Sequence, residues 1–129
     1  MAIIVYNRTK EDHSAHPYNF PIYRGGSILG NPYTDKPVSK TMAVYQVKTR
    51  EEAIQRYGSY FDMQYGRNKE FTEVIDCIYE LYKRGKTVYL ECYCHPLKCH
   101  GDIIVEKLQK RLLKEKIKEA KERRKHEMG

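Results

Sequence analysis

"KTVYLECYCHPLKCHGD", residues 86–102, is the stretch on which the fold turns. Its first half alternates, with Val88, Leu90, Cys92 and Cys94 on one side and Tyr89, Glu91 and Tyr93 on the other, which is the period of a β-strand. Its second half passes through Pro96 into a helix opening near Gly101, where Ile104, Leu108, Leu112 and the more distant Ile117 recur at helical spacing. A strand that runs through a short connection into a helix is the unit of an α/β sheet.

The flanking sequence supplies the remaining units. "IIVY", 3–6, reads as a short buried strand, and "FPIYR", 20–24, and Ala43–Val47 as further strands. Four of the five prolines, with "RGG" and "GNP", fall between residues 7 and 41 and predict a long ordered loop region, the kind that carries function in a small domain. Thr49 followed by Glu52 has the capping-box spacing, so a helix is expected from about Arg50, with Ala53, Ile54, Tyr57, Phe61 and Tyr65 on one face. After a break at "YGRN", Phe71, Val74, Ile75, Ile78, Leu81 and Tyr82 mark a second helix ended by Gly85. The expected fold is α/β: a small open, mostly parallel, Rossmann-like sheet covered by helices, with a basic C-terminal helical extension. Residues 1–113 form a single domain and 114–129 the tail.

The net charge of +7 over 129 residues is unevenly placed. Residues 107–127 hold ten Lys/Arg and four Glu, so +6 of it lies there. Such a helix suits nonspecific contact with nucleic-acid phosphates, or simply a solvated face. The opening residues offer only Ile3–Tyr6 as an apolar run, too short for a signal peptide or a span; the expected location is therefore the cytoplasm, with no membrane partner expected. In a reducing compartment its four cysteines read as thiols or ligands rather than disulfides.

Two constellations carry chemistry. In an open α/β sheet ligands bind beyond the carboxyl ends of the strands, which is where the strand ending at Cys94 meets the helix at Cys99–Asp102. A helix start favours anions and lowers a thiol's pKa. Cys99 or His100 is then the candidate nucleophile or acid/base, oriented by Asp102, with Gly101 giving phosphate access to the backbone. The second constellation is "YRGGSILGNPY", 23–33: Gly25, Gly26 and Gly30 permit close backbone approach, and Arg24, Ser27 and Asn31 offer donors for phosphate or sugar oxygens. Tyr93, like Tyr23 and Tyr33, is placed to stack on a base. Cys92, Cys94, Cys99 and His100, with His95 as a spare, form an alternative zinc set, although the Cys-x-Cys and the adjacent Cys99–His100 depart from the usual paired spacing. Core cysteines acting as small hydrophobes are the plain reading. His13 and His16 are expected to be solvated.

With "YRGGSILGNPY", "TREEAIQRYGSYF" and "CYCHPLKCHGD" in view, the chain resembles an uncharacterised domain family of phages and bacteria, a domain of unknown function. That family's pattern joins a glycine-arginine loop, L-G-N-P and C-[WY]-C-x-P-x-x-C-H-G-[DE]. The resemblance covers about residues 20–113. Here Arg24-Gly25-Gly26 replaces Gly-Arg-Gly, and Tyr93 stands where Trp is commoner.

A nucleotide or nucleotide-derived ligand is expected in a cleft between the "RGGSILGNP" loop and the "CHGD" helix start, with no cofactor. Any turnover would be hydrolysis or transfer at a glycosidic or phosphoryl centre. The alternative is a zinc-bearing nucleic-acid-binding protein with a structural cysteine cluster and phosphate contacts from the tail. For a phage-encoded chain the location is the host cytoplasm.

Overall fold

A computed structural model describes residues 2–40, 43–94 and 97–128. The main sheet has three parallel strands, β1 (Ala2–Asn7), β2 (Asn19–Pro21) and β5 (Thr87–Cys92), in the order β1-β5-β2. Val5 is in register with Leu90 and Asn7 with Cys92, while Phe20 faces Leu90 from the other side. The Ile22 N–H extends the β2 ladder by donating to the Glu91 carbonyl at 3.0 Å. A second, two-stranded parallel sheet pairs β3 (Tyr33–Thr34) with β4 (Tyr45–Gln46). The expected strands at 20–24 and 43–47 are thus present but shorter, as Asn19–Pro21 and Tyr45–Gln46.

α1 (Arg50–Gln64) begins where the sequence requires: the Thr49 hydroxyl accepts the Glu52 N–H at 3.1 Å. The Glu52 carboxylate accepts the Lys48 N–H, one residue upstream of a strict capping box. α2 (Lys69–Lys83) is capped by Asn68, whose side chain accepts the Phe71 N–H, and is followed by Gly85 at φ +84°, a left-handed position that favours glycine. α3 (His100–Met128) runs unbroken through the basic segment.

The helices bury their apolar faces on one side of the sheet. Val5, Val88, Leu90 and Cys92 join Tyr57, Phe61, Phe71, Ile75, Ile78, Ile104 and Leu108 in one continuous core. Beyond Leu112 apolar packing ceases: Leu113 and Ile117 are exposed, and the helix is tied back by Arg111, 2.9 Å from Asp76 and 3.8 Å above the Tyr79 ring, and by Glu115, 3.0 Å from Lys83. The opposite face of the sheet is not bare. His13 stacks on Tyr89 at 4.2 Å and His16 meets the same ring edge-on, so the segment after β1 covers it and these histidines are not simply solvated. Beneath lies Glu91, 2% exposed, which accepts from Asn19 Nδ2 and lies 3.2 Å from the Tyr6 hydroxyl and 3.5 Å from Arg8. Burial first, and then the Glu91 carboxylate, push the Tyr6 hydroxyl up to about 12. No helix among the described residues is long and apolar enough to cross a membrane.

Candidate ligand-binding cleft

Beyond the carboxyl ends of β2 and β5 a cleft of about 340 Å³ opens between the first turns of α1 and α3. Tyr23 and Arg24, just after β2, and Tyr93 and Cys94, just after β5, form one wall. Asn31, Tyr33, Thr34 and Asp35 form another; Arg50, Ala53, Ile54, Cys99 and His100 come from the helix starts. Its position follows from topology, since parallel strands deliver their carboxyl ends to one edge.

The glycine loop builds the cleft without lining it. Gly25 sits at φ +82°. A Cβ on Gly30 would lie 2.9 Å from the Arg24 Cα, so only glycine lets residues 24 and 30 pass at this distance. The Ser27 hydroxyl donates to the Pro21 carbonyl and accepts the Leu29 N–H. Gly25, Gly26, Ser27 and Gly30 therefore act as architecture, whereas Arg24 and Asn31 face the cleft. Arg24 Nη1 donates to the carbonyls of Asn31 (3.1 Å) and Tyr33 (3.0 Å), and the Asn31 amide spans from the Tyr33 N–H to the Ala53 carbonyl. Arg24 is thus held by backbone carbonyls across the loop, and Asn31 ties the loop to α1.

At the start of α3 the expected roles are revised. The Asp102 carboxylate accepts the Cys99 N–H at 2.9 Å, the Gly101 N–H points at the Cys99 sulfur at 3.3 Å, and the Asp102 N–H donates to the Cys99 carbonyl. These amides are consumed by the helix cap itself, so they form no phosphate cradle, and Asp102 and Gly101 lie outside the cleft wall. Gly101 is glycine for packing: a Cβ there would come within 2.7 Å of the Ile22 side chain and 3.1 Å of Val5. The Cys99 thiol is pushed far up, not down, first by its hydrogen bond with Cys92 and then by burial, so it stays protonated and is no thiolate nucleophile. His100 Nε2 donates to the Ile22 carbonyl at 2.6 Å, and its ring meets Tyr57 edge-on at 4.8 Å. Burial holds its pKa down to about 4, against the pull of the Ile22 carbonyl, so the ring is neutral at pH 7.

None of the four cysteines is joined in a disulfide, and among the described residues no group of three His, Cys, Asp or Glu side chains is placed to hold a metal ion. Cys92, Cys94, Cys99 and His100 are neighbours, yet His100 spends its Nε2 on the backbone and Cys99 on Cys92. The spare ligand His95 lies outside the described residues.

Arg50 is the residue that sequence reasoning missed. Its Nε and Nη2 donate to the Lys98 carbonyl at 3.2 and 2.9 Å, and contact with the Cys94 side chain, foremost, raises its pKa. The signal was available, since Arg50 immediately follows the Thr49 cap and so stands at a helix start facing the same edge. Among the described residues the cleft thus gathers two guanidinium groups, Arg24 and Arg50, against the single carboxylate of Asp35. Tyr23 and Tyr93 meet edge-to-face at 5.0 Å on its rim.

These features define a helix-covered parallel α/β domain with a cationic, tyrosine-rimmed cleft at the carboxyl ends of its strands. Residues 5–110 match the family described as Domain of unknown function (DUF4326), and the chain belongs to that family. The match extends from β1 into α3, beyond the residue-20 start expected from the motifs, and leaves the end of α3 outside. No curated protein and no solved structure matches the chain.

Proposed function

We propose that the cleft binds a nucleotide or nucleotide-derived ligand. The observation that carries this reading is the convergence of Arg24 and Arg50 on a cleft of nucleotide-compatible volume rimmed by an exposed tyrosine, Tyr93. Guanidinium groups suit phosphate oxygens, the Tyr93 ring suits a base, and Asp35 offers a polar partner for a sugar, while Asn31 holds the loop against α1. Binding is better supported than turnover, because Cys99 is protonated, His100 is neutral and tied to Ile22, and Asp102 caps its own helix. His100 is then a positioning residue: it joins α3 to the segment after β2 and so holds Tyr23 and Arg24 against the helix start. The exposed basic end of α3 suits weak, nonspecific contact with nucleic acid, independent of the cleft. The site of action is the cytoplasm, that of the host for a phage-encoded chain.

Calorimetric titration of the full chain with ribonucleotides and ADP-ribose-type compounds, followed by product analysis, tests the proposal. Saturable binding lost in Arg24→Gln and Arg50→Gln supports it; no binding across that panel refutes it. Conversion of a bound compound into product would restore the enzyme reading.

A further inference from the structure

The cleft does not end at Tyr33. Tyr33 and Asp35 also line a shallower groove that continues along β4 past Tyr45 to Lys48 and Arg56. The Tyr33 and Tyr45 rings stack at 5.2 Å and 28°, and Tyr45 is 54% exposed, which leaves its outer face to solvent. Tyr93, 48% exposed, lines the inner cleft but not the outer groove. Arg24 and Arg50 likewise line the inner cleft and not the outer groove.

An exposed tyrosine in each of two adjoining hollows, with both guanidinium groups in the inner one, makes more of a site than one nucleotide needs. A mononucleotide seated on Tyr93 with its phosphate at Arg24 and Arg50 would leave the outer groove and the Tyr45 face unused. Resting on the nucleotide reading above, we infer that the occupant carries two rings joined by an anionic linker, the dinucleotide class of ligand. One base stacks at Tyr93, the linking phosphates meet Arg24 and Arg50, and the second ring reaches Tyr45. Lys48 and Arg56 border that second subsite together with Asp35 and Glu52, and Arg56 is paired with Glu52 at 3.1 Å, so the subsite suits an uncharged ring rather than a further phosphate.

The test compares common ribonucleoside diphosphates with the corresponding symmetrical dinucleoside diphosphates, and with 3′–5′ linked dinucleoside monophosphates, by calorimetry on the full chain and on Tyr45→Ala. Because Tyr45 is exposed, its removal leaves the fold intact, and circular dichroism verifies this. The expected result is a two-ring compound binding at least about tenfold tighter than its one-ring counterpart, the fold-change of one stacked base. Tyr45→Ala should abolish that advantage and leave one-ring binding unchanged. Preference for the 3′–5′ linked compound assigns the same two-ring site to a strand of nucleic acid; preference for the diphosphate assigns it to a free dinucleotide. Equal affinity of one-ring and two-ring compounds, or a Tyr45→Ala effect on both alike, overturns the inference while leaving nucleotide binding in place. Absence of binding by every compound overturns both.

Discussion

His100 donates from Nε2 to the carbonyl of Ile22 at 2.6 Å, and this bond joins the first turn of α3 to the segment that leaves β2. Because the ring is buried, protonating it means charging a group with almost no access to water. The folded-state pKa of about 4 lies below the ordinary 6.5, so between these values the unfolded chain binds more protons. The resulting stability is fully present above pH 6.5 and is lost as pH falls toward 4, by on the order of 3 kcal/mol. Urea unfolding at a series of pH values should show this loss in the wild type and a much smaller one in His100→Gln, which keeps a donor but does not titrate. Parallel curves for the two proteins would show that His100 does not carry the pH dependence.

Gly101 packs against the side chains of Ile22 and Val5 with no room for a methyl group. Gly101→Ala should therefore destabilise the protein by about 1–3 kcal/mol, the range for overpacking a core. Ile22→Val removes the Cδ1 atom that the new methyl would meet first. The double variant should recover part of the loss, visible as a non-additive midpoint in denaturant; strict additivity would place the strain elsewhere.

The elements with a repeating signal were legible in the sequence, and those without one were not. The faces of α1 and α2 and the alternation of β5 follow from apolar spacing, and Thr49 and Gly85 mark boundaries through local chemistry that needs no partner. Glu91 shows the limit. Alternation places it with Tyr89 and Tyr93 on the side away from the helices, but its burial depends on residues 8–18, Arg8 among them, folding over that face and on Tyr6 and Asn19 arriving from β1 and β2. The cleft was legible by place, since the two motifs do converge at the carboxyl edge, with Arg24, Asn31, Tyr93, Cys99 and His100 in its wall. Its chemistry was not. Whether a helix-start cysteine becomes a thiolate depends on what buries it, and here Cys92 and the core outweigh the helix dipole.

The same burial bears on the zinc alternative. Purified protein should contain zinc well below one ion per chain, and a strong chelator should leave the thermal midpoint unchanged, because thiols packed as core groups need no metal to hold them. Stoichiometric zinc by elemental analysis, with unfolding on chelation, would reinstate Cys92, Cys94, Cys99 and His95 or His100 as ligands.

Deleting every residue after Leu113 removes seven Lys/Arg and four Glu, along with a helix end that has little apolar packing. The loss in stability should be small, on the order of 1 kcal/mol, as for other changes at a largely solvated surface. Nonspecific binding to single-stranded DNA should weaken and its dependence on salt should flatten, measured as the slope of affinity against ionic strength. An unchanged slope would mean that other cations carry the contact.

The most direct test of the cleft is a nitrogen-15 NMR titration of the full chain with a ribonucleotide that binds. Saturating shifts should cluster on the amides of Arg24, Asn31, Tyr33, Arg50, Tyr93 and His100, and vanish in Arg24→Gln. Shifts confined to residues 114–128, or spread without saturation, would contradict binding in the cleft and assign nucleotide contact to the charge of the α3 end alone.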